Sequence, residues 1–571
     1  MSGALFPSTS FDFDGTQDGL YSSLGGSDQR EMERRQEQFP LLEEPRRSPS
    51  LCLLPANKSN SLPLDEYLDS CFTAPRPPLH EIRKLENTFK HAKSLVQSST
   101  VSFSLELLNS YGSGIKKLNL TQLNDAKDKA CSGSKWNLST EETMRVAGVR
   151  YIQFSEQSYD ELSILMHPFG YALTGLSEQE IWNVELAHLL LAAAEKVGFR
   201  QFDCASRLLS RCEWIASNKA NPVQRVVYCF AEALRERIDK EAGRSIPKPL
   251  GCQNPHGLST SLAFLSHHQN VPLNPVIQLT TTQTIIENIG SARKLHVIDL
   301  EIRSGIQWTA LMQALVERQQ PTLRHFKITA VGCLRQRDRI HETGKRLENF
   351  AESMNIPFSY KVAYYSSWNE IREEQFDLAA DESLIVSANI TLRTMMSRPE
   401  CLENLMRVIK NIGPSLMIVC EAEANLNSPA FVTRFIEALF YYSAQFDSIN
   451  TCMSQNVEHR KEIEATFAHG IRDTVAMEGR ERIARCVRID VWRAFFSKFR
   501  MVEIGFSESS LYQANLVLQQ SRNGNLCSLD KNGKSLLIGW KGTPLFSLSA
   551  WKFCRDKLGT WFINLGFEHA T

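Results

Sequence analysis

Two pairs of carboxylates stand where a small-molecule site would be built. Asp299 and Glu301 close a near-continuous apolar run (Leu295, Val297, Ile298, Leu300), and Glu421 and Glu423 follow a second such run. Runs of this kind suit parallel strands covered on both faces, and open α/β sheets bind ligands outside the carboxyl ends of such strands. The chemistry on offer is that of a nucleotide or S-adenosylmethionine site, with an acid holding a ribose or an amino group. Such a site also needs a glycine-rich turn after its first strand, so that backbone can approach the ligand closely. Here the turn reads Ile302-Arg303-Ser304-Gly305-Ile306-Gln307-Trp308. The side chains of Ile302, Arg303 and Ile306 would crowd that approach. The favoured reading is therefore that Asp299 and Glu301 cap the following helix and pair with Arg303 or another base, with no catalytic residue and no cofactor.

Other catalytic patterns are missing from the sequence. It has no GxSxG elbow and no GxxxxGK[ST] loop. His267, His268 and His296 lack further ligands at metal spacing, and His296 lies within the strand pattern, where a hydrogen-bonded core histidine is expected. The 14 cysteines are scattered without a CxxC pair, which argues against a zinc finger or a small disulfide scaffold and for reduced thiols. No metal site is expected.

The elements around these residues alternate. The expected strands are 295–300, 325–332, 358–363, 384–389, 415–420 and 501–505, with a further pair near 512–518 and 535–540. Expected helices fall near 307–319, 341–355, 400–411, 429–443 and 486–499. Alternation of this kind implies right-handed crossovers and a doubly wound, mostly parallel sheet. NGN at 523–525 and KNGK at 531–534 mark turns, so an antiparallel hairpin should close the sheet.

Upstream lies a leucine-rich helical segment. Leu186, Leu189, Leu190, Ala193 and Val197 share one helical face that Gly198 should end. A second helix carries Phe202, Ala205, Leu208, Leu209 and Cys212. A third opens with Asn221 as its cap and Pro222 at the first helical position, and Val223, Val227, Phe230, Leu234 and Ile238 line it. Order is expected to begin near Ser177. Before it, Pro, Ser, Gly and mixed charge give a composition that cannot bury enough apolar area to fold. Residues 1–150 are thus read as a mostly disordered arm and 151–177 as a linker, ahead of a folded domain at 178–571. Within that domain, 178–260 is the helical cap and 276–571 the α/β core. In the arm, Leu62 to Phe72 could fold on a partner. Arg34–Arg35 and Arg46–Arg47 are diluted by neighbouring glutamates, so a solvated tail is preferred to a nuclear signal.

Lysine plus arginine equals aspartate plus glutamate at 64 each, in a chain of 571 residues that is 42% hydrophobic. Such a chain supports a large core but lacks the gross basic footprint of a phosphate-backbone binder. Neither a secretory leader nor a membrane span is visible. A soluble cytosolic or nuclear protein is expected.

Ordered motifs give the sequence a family resemblance. LHVID at 295–299 with GIQW at 305–308 resembles the VHIID motif of the GRAS family of plant transcriptional regulators. Val184 to Arg237 and Leu347 to Phe358 resemble its two leucine-rich regions. SLIVSANITL at 383–392 and the segment 420–448 resemble its PFYRE region. WRAFF from Trp492, GFSES from Gly505 and the segment ending at Trp551 resemble its SAW region, with Trp492, Trp540 and Trp551 as the SAW-like tryptophans. Two features depart from the family pattern: Glu301 replaces an aspartate, and only Arg480, Glu481, Arg482, Ile483, Ala484 and Arg485 represent a basic-flanked acid cluster. No DELLA block followed by a TVHYNP-type block is visible, so gibberellin-receptor binding does not carry over.

The resemblance implies a Rossmann-like core similar to class I methyltransferases beneath a helical cap. It also implies a nuclear adaptor or coregulator rather than an enzyme. Partners would be other GRAS proteins, as homo- or heterodimer, and DNA-binding transcription factors, with DNA contact indirect. The residues expected to meet partners are Leu186, Leu189, Leu190, Val197, Leu208 and Leu209. His296, Val297, Ile298, Asp299, Gln307 and Trp308 carry the VHIID-like motif. A methyltransferase-fold enzyme or small-ligand sensor is the alternative.

Overall fold

The computed structural model describes residues 138–155, 176–216, 221–244, 262–318 and 323–554. The motif at 62–72, the paired arginines at 34–35 and 46–47 and most of the expected arm lie outside these residues. Order starts upstream of Ser177: helix α1 spans Thr140–Ser155. Helix α2 (Glu178–Gly198) begins with a capping box, in which Ser177 and Glu180 each bind the other's backbone N–H. Helix α3 (Phe202–Ile215) and helix α4 (Pro222–Glu241) follow, and the Asn221 side chain accepts from Gln224 N as the expected cap of α4. Gly198 does not supply the left-handed residue after α2; Arg200 does, at φ 59°. Gly198 serves close approach instead, because a Cβ there would lie 2.7 Å from Val432 Cγ2.

Helices α5 (Leu262–Asn270) and α6 (Leu273–Asn288) lead into strand β1 (Lys294–Asp299). The chain then alternates through α7 (Ile306–Glu317), β2 (His325–Cys333), α8 (Arg337–Ser353), β3 (Phe358–Tyr365), β4 (Ser383–Asn389), α9 (Pro399–Ile412) and β5 (Leu416–Ala422). Two long helices, α10 (Phe431–Cys452) and α11 (Val457–Ala476), interrupt the alternation. After them come α12 (Ile489–Lys498), β6 (Met501–Ile504), α13 (Glu508–Gln520), β7 (Cys527–Asn532), β8 (Ser535–Trp540) and β9 (Thr543–Phe553).

The sheet runs β3-β2-β1-β4-β5-β9-β8-β7, and β6 also pairs with β9. The first five strands are parallel neighbours, with β1 registered against both β2 (Val297 opposite Ile328) and β4 (Val297 opposite Ile385). Strand β9 then runs antiparallel to β5, β6 and β8. The strand order reverses between β1 and β4, the place where this architecture opens a crevice. Apolar side chains cover both faces of the parallel half. Val297 belongs to the cluster shared with the cap, and Ile298 to the cluster under α9 and α12.

Two expectations need correction. Residues 512–518 are not a strand but the middle of α13, which Ser507 caps by accepting from Ser510 N. The closing hairpin pairs β7 with β8 across the KNGK turn, and β9, which the sequence reading lacked, joins it to the parallel half. The helical layer is also discontinuous in sequence. Helices α10 and α11 pack with α4, while α1 packs against α2 and α10. Every residue of α10 from Arg434 through Ile449 is buried, so this helix forms the floor between cap and sheet.

Candidate functional site

The crevice at the end of β1 is filled by its own chain. Asp299 is fully buried, and its carboxylate accepts from Glu301 N at 3.1 Å, Gln307 Nε2 at 3.1 Å and Trp308 Nε1 at 2.7 Å. Burial raises its pKa to about 6 against the opposing pull of the Trp308 hydrogen bond. The base beside Glu301 is Arg339, at 3.6 Å, but the expected capping does not occur: α7 begins at Gly305 with no side-chain cap, and Asp299 binds the turn instead. Arg339 also donates to Ile302 O, and Thr343 Oγ1 to Arg303 O, so α8 clamps the turn. Gly305 takes φ 74° as the residue before α7. A Cβ there would meet Thr343 and Leu347 at 3.0–3.1 Å, so this glycine serves helix packing. With Ile302 buried to 1% exposure and Trp308 folded over Asp299, the groups that would hold a ribose hold the protein itself.

His296 is a core histidine. Its Nε2 lies 2.8 Å from Thr329 Oγ1, and its Nδ1 lies 3.2 Å from Glu382, which also faces Lys327 at 3.2 Å. Burial, followed by the charge of Lys327, lowers its pKa to about 4. Neutral at physiological pH, it leaves the Lys327–Glu382 pair to carry the charge. Glu421 is buried within the last residues of β5, opposite Ser547, and Glu423 is buried just past the strand's end. Glu421 accepts from Leu392 N at 2.7 Å, and Glu423 from Ile489 N at 3.0 Å. Burial raises each to about 7. Both act as anchors for loops, and neither faces Asp299 as a catalytic partner at hydrogen-bond distance.

The leucines expected to meet partners require a correction. Leu186, Leu190, Val197 and Leu209 are almost wholly buried, and Leu189 and Leu208 are partly buried against the same cluster. The cause is the multi-sided packing of α2 against α1, α3, α4 and α10. What the cap presents outward is aromatic: Trp182 is 45%, Phe199 54% and Trp214 84% exposed. The signal for Trp214 was available, since it stands off the apolar stripe of α3 and falls instead with Arg207 and Arg211 at helical spacing.

The closing tryptophans are structural. Trp540 Nε1 donates to Asp447 at 2.7 Å, and Trp551 Nε1 to Ser549 Oγ at 2.9 Å. Trp492 stacks on Phe496, which in turn packs against Trp551 at 4.8 Å between ring centroids. Among the described residues no group of three or more His, Cys, Asp or Glu is arranged to hold a metal, and no helix is long and apolar enough to cross a membrane.

Comparison with known proteins agrees with this geometry. A sequence profile of the GRAS domain family matches residues 186–552. DELLA protein GAIP of Cucurbita maxima is 31% identical over 377 residues, which cover 65% of this chain and 63% of that protein. DELLA protein RGL3 of Arabidopsis thaliana is 29% identical over 410 residues, covering 70% and 76% respectively. The crystal structure of SCL7 from Oryza sativa superposes with a TM-score of 0.58 at 25% identity, covering 64% of this chain and 99% of that one. The cap, the doubly wound sheet and the ordered motifs thus have one common explanation: the chain belongs to the GRAS domain family, a family of plant transcriptional regulators.

Proposed function

We propose that this protein is a nuclear transcriptional adaptor that binds DNA-bound transcription factors and other GRAS proteins, without catalysing a reaction. The observation that carries the reading is the engagement of Asp299 by Glu301 N, Gln307 and Trp308. The position where this sheet would build an active site is occupied by the protein's own side chains. Recognition then falls to outer surfaces. The buried leucines hold α2 and α3 in place, and Trp182, Phe199 and Trp214 stand outward from that frame. Exposed tryptophans with neighbouring arginines have the composition of interface hot spots. DNA contact is indirect in this reading, in keeping with equal numbers of acidic and basic residues.

The test is capture of partners from plant nuclear extract by the full chain, with nuclease added before elution, beside a Trp182→Ala, Trp214→Ala variant checked by circular dichroism. DNA-binding factors or other GRAS proteins that survive nuclease and vanish with the folded variant are expected. Complete loss on nuclease treatment would replace the adaptor with direct DNA binding.

A further inference from the structure

A second cluster of polar groups lies outside the carboxyl ends of β4 and β5, beside the filled turn after β1, whose Arg303 donates to Asn389 O. Three segments meet there. Arg393 comes from the short 3-10 turn Leu392–Thr394 after β4. Asn425 and Asn427 follow β5, and Arg482, Arg485 and Cys486 precede α12. Backbone hydrogen bonds join the segments: Arg485 N to Arg393 O at 3.0 Å, and Leu426 N to Cys486 O at 3.0 Å. Arg393 Nη1 also lies 3.5 Å from Cys486 Sγ.

The donors gathered there exceed their acceptors. Arg482 is 5% exposed, and its Nη2 donates to the neutral Oδ1 of Asn427 at 3.2 Å. Its Nε and Nη1 are buried without a partner, as are Nε of Arg393, Nε of Arg485 and Oδ1 of Asn425. Three acids border the cluster, and their hydrogen bonds go largely to other groups. Asp473 accepts the backbone N–H groups of Ile483 and Ala484, and Glu478 takes Arg237 and Arg434. Glu421 binds Leu392 N through one oxygen, while the other is buried without a partner. Burial outweighs the attraction of Arg393 and raises this carboxyl to about 7, where it can take a proton and donate. Arg434 and Arg485 repel Arg482 while Glu478 and Asp473 attract it, so a buried guanidinium whose one hydrogen bond goes to a neutral amide is poorly compensated. Planar guanidinium forks suit bidentate contact with carboxylate or phosphate, and the amide of Asn425 can turn its NH2 toward the same ligand.

We propose that Arg393, Arg482 and Arg485 form a binding site for a small oxyanion, a carboxylate or phosphate group, between the loops that follow β4 and β5 and the segment that precedes α12. The bound anion would tie the three segments together and couple ligand level to the stability of this edge of the core.

Thermal unfolding of the full chain tests the site. Inorganic phosphate and acetate are titrated separately at constant ionic strength against chloride. A saturable rise in Tm of at least about 2 °C with one or both anions, absent with chloride, is expected; the anion that acts names the ligand class. Arg482→Gln should abolish the rise, while Arg335→Gln in the exposed turn after β2 should leave it intact. If Arg482→Gln does not fold, Arg485→Gln takes its place with the same expected loss. No rise with either anion, an equal rise with chloride, or a rise that survives in the folded site variant would overturn the proposal.

Discussion

Trp540 and Asp447 meet across the floor of the domain, with the indole Nε1–H donating to Asp447 Oδ2 at 2.7 Å. The same oxygen lies 2.9 Å from Lys541 Nζ, and Oδ1 accepts from Thr140 N at 3.2 Å. One carboxylate on α10 therefore fastens β8, the turn after it and the start of α1. Asp447→Ala would leave a buried indole N–H without an acceptor and release α1. A loss of about 3 kcal/mol in unfolding free energy is expected, as for breaking a buried charged network. Trp540→Phe should cost about 1–3 kcal/mol. Urea unfolding of both single variants and the double variant should give a coupling energy above about 0.5 kcal/mol. Additive losses would mean that the pair does not act as a unit.

The second prediction concerns where the folded unit begins. Helix α1 lies upstream of the family match, yet Met144 and Ala147 are wholly buried in the common core. Thr543 Oγ1 donates to Glu141 at 3.1 Å, and Leu138 N donates to Glu180 at 2.7 Å. A chain starting at residue 178 should unfold with about 2–4 kcal/mol less stability than one starting at residue 138, since burial of Met144 alone contributes about 1.5–3 kcal/mol. Denaturant midpoints for the two chains decide the matter. Equal midpoints would mean that α1 is dispensable.

These two contacts also mark the limit of reading a single sequence. Strands β1, β2, β4 and β5 were legible because burial on both faces leaves continuous apolar runs, and α4 because Asn221-Pro222 is a local start signal. At 512–518 the run Leu516-Val517-Leu518 suggested a strand, yet Ser507 and Glu508 begin a helix there. Helix α11 was overlooked although Ile463, Phe467, Ile471 and Val475 repeat every four residues, because charged residues dominate the remainder. The motif at Asp299 was legible, but neither acid caps α7, which starts at Gly305 without a side-chain cap. Asp299 instead takes Glu301 N and the side chains of Gln307 and Trp308, contacts that only the folded turn creates. Pairs such as Trp540–Asp447 arise only from tertiary packing. The leucine stripe was legible as apolar; that it faces inward depends on α1 and α10, which lie far away in sequence.

Asp299 and Trp308 allow a direct test of the closed crevice. Asp299→Asn would place an NH2 group toward at least one of three donors, and Trp308→Phe would remove the strongest of them. Each should cost about 1–3 kcal/mol in stability, less in combination than the two losses summed. S-adenosylmethionine should leave the Tm of the wild-type protein unchanged, because the acid that would hold it is engaged. A saturable rise would reopen the enzyme reading.

Glu423 makes stability depend on pH in a defined direction. It is 7% exposed, and burial, opposed by Ser547 and Ile489 N, raises its pKa from 4.5 to about 7. Below the unfolded value both states hold the proton, and its contribution to stability is fully present. As pH rises from 4.5 toward 7, the unfolded chain releases the proton while the folded one retains it, so that contribution is lost. At about 1.4 kcal/mol per pH unit the loss reaches about 3 kcal/mol at most. Glu423→Gln keeps the shape and the acceptor for Ile489 N but has no proton to exchange. The stability of wild type relative to Glu423→Gln should therefore fall between pH 5 and 7 and level off above pH 7. Taking this difference removes the opposing trend from His296, whose pKa is lowered to about 4 and whose contribution is instead lost as pH falls below 6.5. Urea unfolding at half-unit pH intervals measures the difference, and a flat profile would show that Glu423 titrates as it does in the unfolded chain.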